Sequence, residues 1–136
     1  MILVDTGPLV ALLDADDAAH ERCVATALTL TETAMISTWP CFTEAMYLLG
    51  HNGGFRTQFF LWQLRNSGRL HLFAMGEQEE VRACDLMQTY ADLPMDLADA
   101  SLVVAAEALG SKQIFTLDSD FHIYRLADGS VLQVIP

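Results

Sequence analysis

Short apolar runs alternate with helical patterns along the whole chain. Ile2-Leu3-Val4 is too short for a helix, and Asp5-Thr6-Gly7-Pro8 closes it with a turn whose proline is placed to start one. The pattern predicts a short helical turn at 9–13, then a helix to residue 30 capped by the aspartates of 14–17. A buried strand at 35–37 follows. Thr38 and Pro40 open a helix to residue 49, stopped by Gly50, Gly53 and Gly54. Next come an aromatic-rich helix over 55–66, a strand at 70–74, an acidic helix from Gly76 to residue 91, and a helix over 97–109 ended by Gly110. Strands at 114–117 and 131–135 finish the chain.

Five short apolar strands separated by helices predict an α/β protein, a three-layer α/β/α sandwich around a parallel five-stranded sheet. Right-handed crossovers then place a ligand site beyond the carboxyl ends of the strands. No repeat, low-complexity segment or linker interrupts the pattern, so residues 1–136 read as a single domain.

Composition narrows the class. With 52% hydrophobic and 18% charged residues, the chain has the apolar content to fold. No apolar run approaches the roughly 18 residues of a membrane span. The first residues carry neither a basic stretch nor a cleavable apolar segment, so a soluble cytoplasmic protein with no membrane partner is expected. Cys23, Cys41 and Cys84 are odd in number and lack Cys-x-x-Cys spacing, which argues against a disulfide framework or a zinc site. Each can join an apolar helical face, Cys84 with Val81, Met87 and Ala91, so buried thiols are expected.

The acids stand where acids are costly. Asp5 follows the first strand and Asp118 the fourth, so both belong at one edge of a parallel sheet. Asp99 precedes Leu102, Val103 and Ala106 on a stripe that should face the sheet, and Glu44 shares a stripe with Cys41, Ala45 and Leu48. An unpaired buried carboxylate costs several kcal/mol. No basic residue lies at helix-pair spacing from these acids, and a divalent cation, Mg²⁺ or Mn²⁺, is the economical compensation. Asp96 and Asp120 either complete the ligand set or lie just outside it. The hydroxyls of Thr6 and Thr116 either orient a ligand or water, or serve as an ordinary cap and strand residue.

Taken together, Ile2-Leu-Val-Asp5-Thr6-Gly7-Pro8-Leu9, Glu44, Asp96-Leu-Ala-Asp99-Ala-Ser-Leu102 and Thr116-Leu-Asp118-Ser-Asp120-Phe121 resemble the PIN-domain nucleases. Within them the pattern is similar to the VapC-type ribonuclease toxins of prokaryotic toxin–antitoxin pairs. The resemblance implies a metal-dependent endoribonuclease with Asp5, Glu44, Asp99 and Asp118 as its acidic quartet, and Asp96 and Asp120 as secondary acids. It also implies Mg²⁺ or Mn²⁺, a homodimer, an RNA substrate and an inhibiting antitoxin partner. A stand-alone RNA-processing nuclease would carry the same residues.

A net charge of −11 opposes RNA binding. Its distribution softens the objection, because no acid stands between Glu44 and Glu77, a stretch holding Arg56, Arg65 and Arg69. Those arginines either contact phosphates or keep an exposed face soluble. Phe55, Phe59, Phe60 and Trp62 in the same stretch are read first as core or dimer interface, and second as a surface for stacking bases.

Other functions fit less well. A receiver domain needs a lysine after a late strand, whereas the only lysine, Lys112, precedes the strand at 114–117. An Asp-x-Asp phosphatase is opposed by Gly7, two residues after Asp5. A non-catalytic interaction module remains as the alternative outside enzymes, although degenerate domains usually lose an acid and all four are present.

Overall fold

Ile2–Val4 (β1) is buried at every residue and forms the centre of the sheet. The computed structural model describes residues 1–136. After β1 come Thr6–Leu13 (α1), His20–Thr29 (α2), Met35–Thr38 (β2), Trp39–Gly53 (α3), Phe55–Asn66 (α4) and Leu70–Phe73 (β3). Glu77–Thr89 (α5), Leu97–Leu109 (α6), Gln113–Phe115 (β4), a 3₁₀ turn at Ser119–His122 and Gln133–Ile135 (β5) complete the chain. The strands run in the order β3-β2-β1-β4-β5, every neighbouring pair parallel. The expected architecture is present.

Alternation along the strands divides the core in two. Leu3, Ile36 and Ile114 point to the face covered by α5 and α6, whereas Ile2, Val4, Leu70 and Phe115 point to the face covered by α1 to α4. α6 is buried without a break from Ala98 to Ala106, and its small residues let it lie close against the sheet. A bond of 2.6 Å between the Thr38 and Ser101 hydroxyls ties it to the end of β2.

Several boundaries move for identifiable reasons. α1 begins at Thr6, earlier than the apolar pattern suggests, because the Asp5 side chain caps it. The aspartates of 14–17 do not cap α2. Asp14 and Asp17 instead accept bonds from Asp16 N and Ala19 N within the preceding turn, and α2 starts without a side-chain cap. α3 runs through Gly50 and Gly53, which serve close packing rather than termination. A Cβ on Gly50 would collide with the Gln58 side chain, and one on Gly53 would fall 2.5 Å from Thr57 Cγ2. The stop is Gly54 at φ +69°, a backbone region that glycine tolerates and other residues rarely adopt. The hairpin of α3 and α4 follows from that close contact.

Two burial expectations need correction. Cys23 and Cys41 are buried, but Cys84 is exposed, as is Val81 on the same helix. α5 packs only Ala83 and Leu86 fully inward, so the stripe through Cys84 faces outward. On α4, Leu61 alone is buried, while Phe55, Phe59, Phe60 and Trp62 are all exposed. They are not core residues.

β1 leads through α1 and α2 to β2 on one side, while β4 lies on its other side. Strand order therefore reverses between β1 and β4, which opens a crevice at their carboxyl ends. No helix is long and apolar enough to cross a membrane.

Candidate active site

The crevice is a cleft of about 470 Å³ lined by Asp5, Glu44, Asp96, Asp99, Asp118 and Asp120, with Thr6 and Gly7 in its floor. Four separate chain segments deliver these residues to one edge of the sheet. All six acids expected from the sequence meet here.

Asp5 sits at the centre. Its backbone N–H donates to Phe115 O, fixing it between β1 and β4. Its carboxylate is held at both oxygens, Oδ1 accepting from Thr6 N at 2.7 Å and Oδ2 from the Thr116 hydroxyl at 2.7 Å. Thr116 Oγ1 also accepts from Asp118 N at 3.0 Å, so one buried hydroxyl couples the two strand-end acids. This makes Thr116 a support for acids rather than a surface for substrate. Thr6 is likewise buried, its hydroxyl turned toward Cys41 O at 3.5 Å, away from a role at the cleft surface.

Asp99 arrives on the first turn of α6 through a capping box. Its N–H donates to Asp96 Oδ1 at 2.8 Å, and its Oδ2 accepts from Asp96 N at 3.3 Å. Tyr124 donates its hydroxyl to the same Oδ2 at 3.2 Å. Asp118 caps the 3₁₀ turn by accepting from Asp120 N at 2.9 Å. Glu44 departs from expectation, since it is exposed at the cleft rim and not buried against the sheet. Leu48, on its stripe, is 36% exposed as well. α3 turns Cys41, Phe42, Ala45 and Leu49 inward, which leaves Glu44 on the flank.

The electrostatics follow from crowding. Burial raises the Asp5 carboxyl from 3.8 to about 6, against the pull of its two hydrogen bonds and with the charges of Asp118 and Glu44 adding to the rise. Burial and then the Asp96 charge raise Asp99 to about 7. Burial also pushes the Cys41 thiol, 3.9 Å from Asp5 Oδ1, up to about 12, which leaves it inert as a nucleophile. No lysine or arginine lines the cleft. The ion pairs of the chain, Arg82 with Glu107 and Lys112 with Asp128, lie elsewhere.

The donor set fits a hard divalent cation, because apart from Thr6 every polar side chain lining the cleft offers carboxylate oxygen. No three acidic, histidine or cysteine side chains are gathered tightly enough to form a ready-made cage. Mg²⁺ does not require one, since it is commonly held through one or two carboxylates with water at the remaining positions.

The arginines expected to assist are placed differently. Arg65 donates to Leu70 O at 3.5 Å, and Arg69 borders a separate apolar cavity with Leu13, Met35 and Leu64. Both lie at the amino ends of β2 and β3, across the sheet from the acids. Arg56 is exposed near the start of α4. Reading the sequence missed Tyr124 and the Leu93-Pro94 wall of the cleft, neither of which carries a spacing signal.

The family profile of the PIN domain matches residues 2–127, a span that includes every acid of the cleft. The chain belongs to the PIN-domain family. Among PIN-domain relatives, it is 26% identical over 136 residues to Ribonuclease VapC26 of Mycobacterium tuberculosis, covering 99% of this chain and 100% of that protein. The crystal structure of Mycobacterium tuberculosis VapC20, a Sarcin-Ricin loop cleaving toxin, shares the fold at TM-score 0.77 and 21% identity, over 90% of this chain and 94% of that one. VapBC2 from Rickettsia felis, solved with a DNA fragment from its promoter, shares it at TM-score 0.67 and 12% identity, over 99% of this chain and 98% of that one. A toxin-antitoxin complex from Klebsiella pneumoniae matches at TM-score 0.61 and 18% identity, over 100% of this chain and 97% of that one.

Proposed function

We propose that this PIN-domain protein is a Mg²⁺- or Mn²⁺-dependent endoribonuclease, the toxin of a type II toxin–antitoxin pair acting in the cytoplasm. The observation that carries the reading is the convergence of Asp5, Glu44, Asp99 and Asp118 on one cleft that holds no protein cation. Likeness to a VapC ribonuclease and to toxin–antitoxin complexes supports the substrate class and an antitoxin partner. A homodimer is part of the same proposal.

Asp5, Asp99 and Asp118 would hold the ion, with Asp96 and Asp120 around them. When bound, the ion supplies positive charge that activates water and offsets the charge growing on the phosphate. Asp5 enters that arrangement already oriented, because Thr6 N and Thr116 fix both of its oxygens. Glu44 stands at the open rim, exposed and free to turn toward an attacking water. The exposed rings of Tyr47, Phe55, Phe59, Phe60 and Trp62, in the acid-free stretch between Glu44 and Glu77, support contact with unpaired bases. On α3, Tyr47 lies one turn beyond Glu44 and stacks on His51 at 6.2 Å.

The test is cleavage of a labelled RNA pool by purified protein with Mn²⁺ or Mg²⁺, with EDTA, and with Asp99→Asn. Cleavage that needs the metal and is lost in the variant is expected. Cleavage that survives both treatments would sink the assignment.

A further inference from the structure

We propose that Tyr124 is a positioning residue that fixes which oxygen of Asp99 is presented to a divalent cation, an inference that rests on the metal-site reading above. Tyr124 lies in the chain returning from the 3₁₀ turn and is 2% exposed. Its ring meets Phe121 at 5.1 Å and 86°, and Tyr90 at 5.1 Å and 64°, both edge to face. Two aromatic neighbours at those angles leave the ring little freedom, so the position of its hydroxyl is set by packing.

Packing alone does not call for that hydroxyl. Phenylalanine would fill the same space, and burying a hydroxyl is unfavourable unless it is bonded. Its partner is Asp99 Oδ2 at 3.2 Å. The Asp96 N–H reaches the same oxygen at 3.3 Å, beyond the usual range for such a bond. Both donors therefore converge on Oδ2, and no protein donor reaches Oδ1. No buried side-chain oxygen lacks a partner, so Oδ1 is open to solvent, and Asp99 lines the cleft. The arrangement turns one oxygen inward and leaves the other for a ligand.

Asp5 is secured at both oxygens, Oδ1 by Thr6 N and Oδ2 by the Thr116 hydroxyl. Asp99 has no such pair. Without Tyr124 its carboxylate keeps only the long Asp96 bond, and the Cβ–Cγ torsion of an aspartate is broad. Partners that orient a metal-binding side chain typically change affinity by about 10- to 100-fold when removed. The expected loss on removing this hydroxyl is about tenfold.

The experiment is an electron paramagnetic resonance titration of Mn²⁺ against purified wild type, Tyr124→Phe, Tyr90→Phe and Asp99→Asn, with thermal melts in EDTA. Tyr90→Phe is the control for packing, because it removes a hydroxyl of the same cluster that bonds Arg125 N instead. Expected are Mn²⁺ binding about tenfold weaker in Tyr124→Phe, wild-type affinity in Tyr90→Phe, and melting of Tyr124→Phe close to wild type. Wild-type affinity in Tyr124→Phe, with binding lost in Asp99→Asn, overturns the positioning role alone. An equal loss in Tyr90→Phe overturns it too, by assigning the effect to packing. A wild type that binds no Mn²⁺ overturns both this inference and the metal site.

Discussion

Asp99→Asn isolates the cost of charge in the cleft. The asparagine carbonyl can take the place of Oδ2, accepting from Tyr124 and Asp96 N, so the bonds survive and only the charge goes. In the wild type, burial and the Asp96 charge raise the carboxyl from 3.8 to about 7. The folded form then binds its proton more tightly than the unfolded chain. Stability therefore falls as pH rises from the unfolded value to the folded one, and stays reduced above it. At about 1.4 kcal/mol per pH unit, that span sets a ceiling of about 4 kcal/mol. Asp96 remains beside the site and shares the repulsion, and solvent reaching the open cleft screens the charge, so about 2 kcal/mol is a fair expectation for the single variant. For a chain of this size, 1 kcal/mol moves Tm by roughly 4 °C. In EDTA at about pH 8, Asp99→Asn should thus melt about 8 °C above wild type, and the gain should fade toward about pH 4. Circular dichroism melts across that range read it directly. Added Mn²⁺ should raise the wild type and leave the variant unmoved. An Asp99→Asn protein that melts at or below wild type at about pH 8 in EDTA would refute the argument that ionised Asp99 burdens the fold.

Three further expectations follow from the same geometry. Thr116→Val removes the hydroxyl between Asp5 Oδ2 and Asp118 N, and urea denaturation should show a loss of about 1–3 kcal/mol. Thr116→Ser should recover most of that loss, and a valine variant as stable as wild type would dismiss the bridge. Glu44→Gln should lower kcat by about 10²-fold with unchanged melting, because Glu44 is exposed and bonds no protein group; normal turnover would remove it from the chemistry. Arg69→Ala should leave RNA cleavage unchanged, since the side chain sits at the opposite end of the strands from the acids, and impaired cleavage would place RNA across that end.

Much of the fold was legible because its signals are local. Three-residue apolar runs closed by Asp5 or by the turn after β4 mark strands, and helical periodicity between them implies parallel crossovers. The strand-end acids Asp5 and Asp118 were legible for the same reason, since a residue that follows a parallel strand has only one edge of the sheet to occupy. Glu44 was misread because periodicity assigns a helix two flanks but does not say which residues at the margin are covered. The glycines at 50 and 53 were misread because composition cannot separate a helix stop from a helix contact. Gln58 and Thr57 decide that, and they belong to the next helix.

The chain's own order of residues determined a parallel α/β sandwich, strand-end aspartates and an acid-rich edge. Tertiary structure alone decided which supports those acids receive. Thr116 bridges Asp5 and Asp118, and Tyr124 reaches Asp99 across 25 residues of chain. It also decided that Arg65 and Arg69 face away from the cleft and that the α4 aromatics stay in solvent. The physical reason is one of range. Propensity, capping and strand polarity act within a few residues, whereas burial, hydrogen-bond partners and pKa depend on neighbours that only packing supplies.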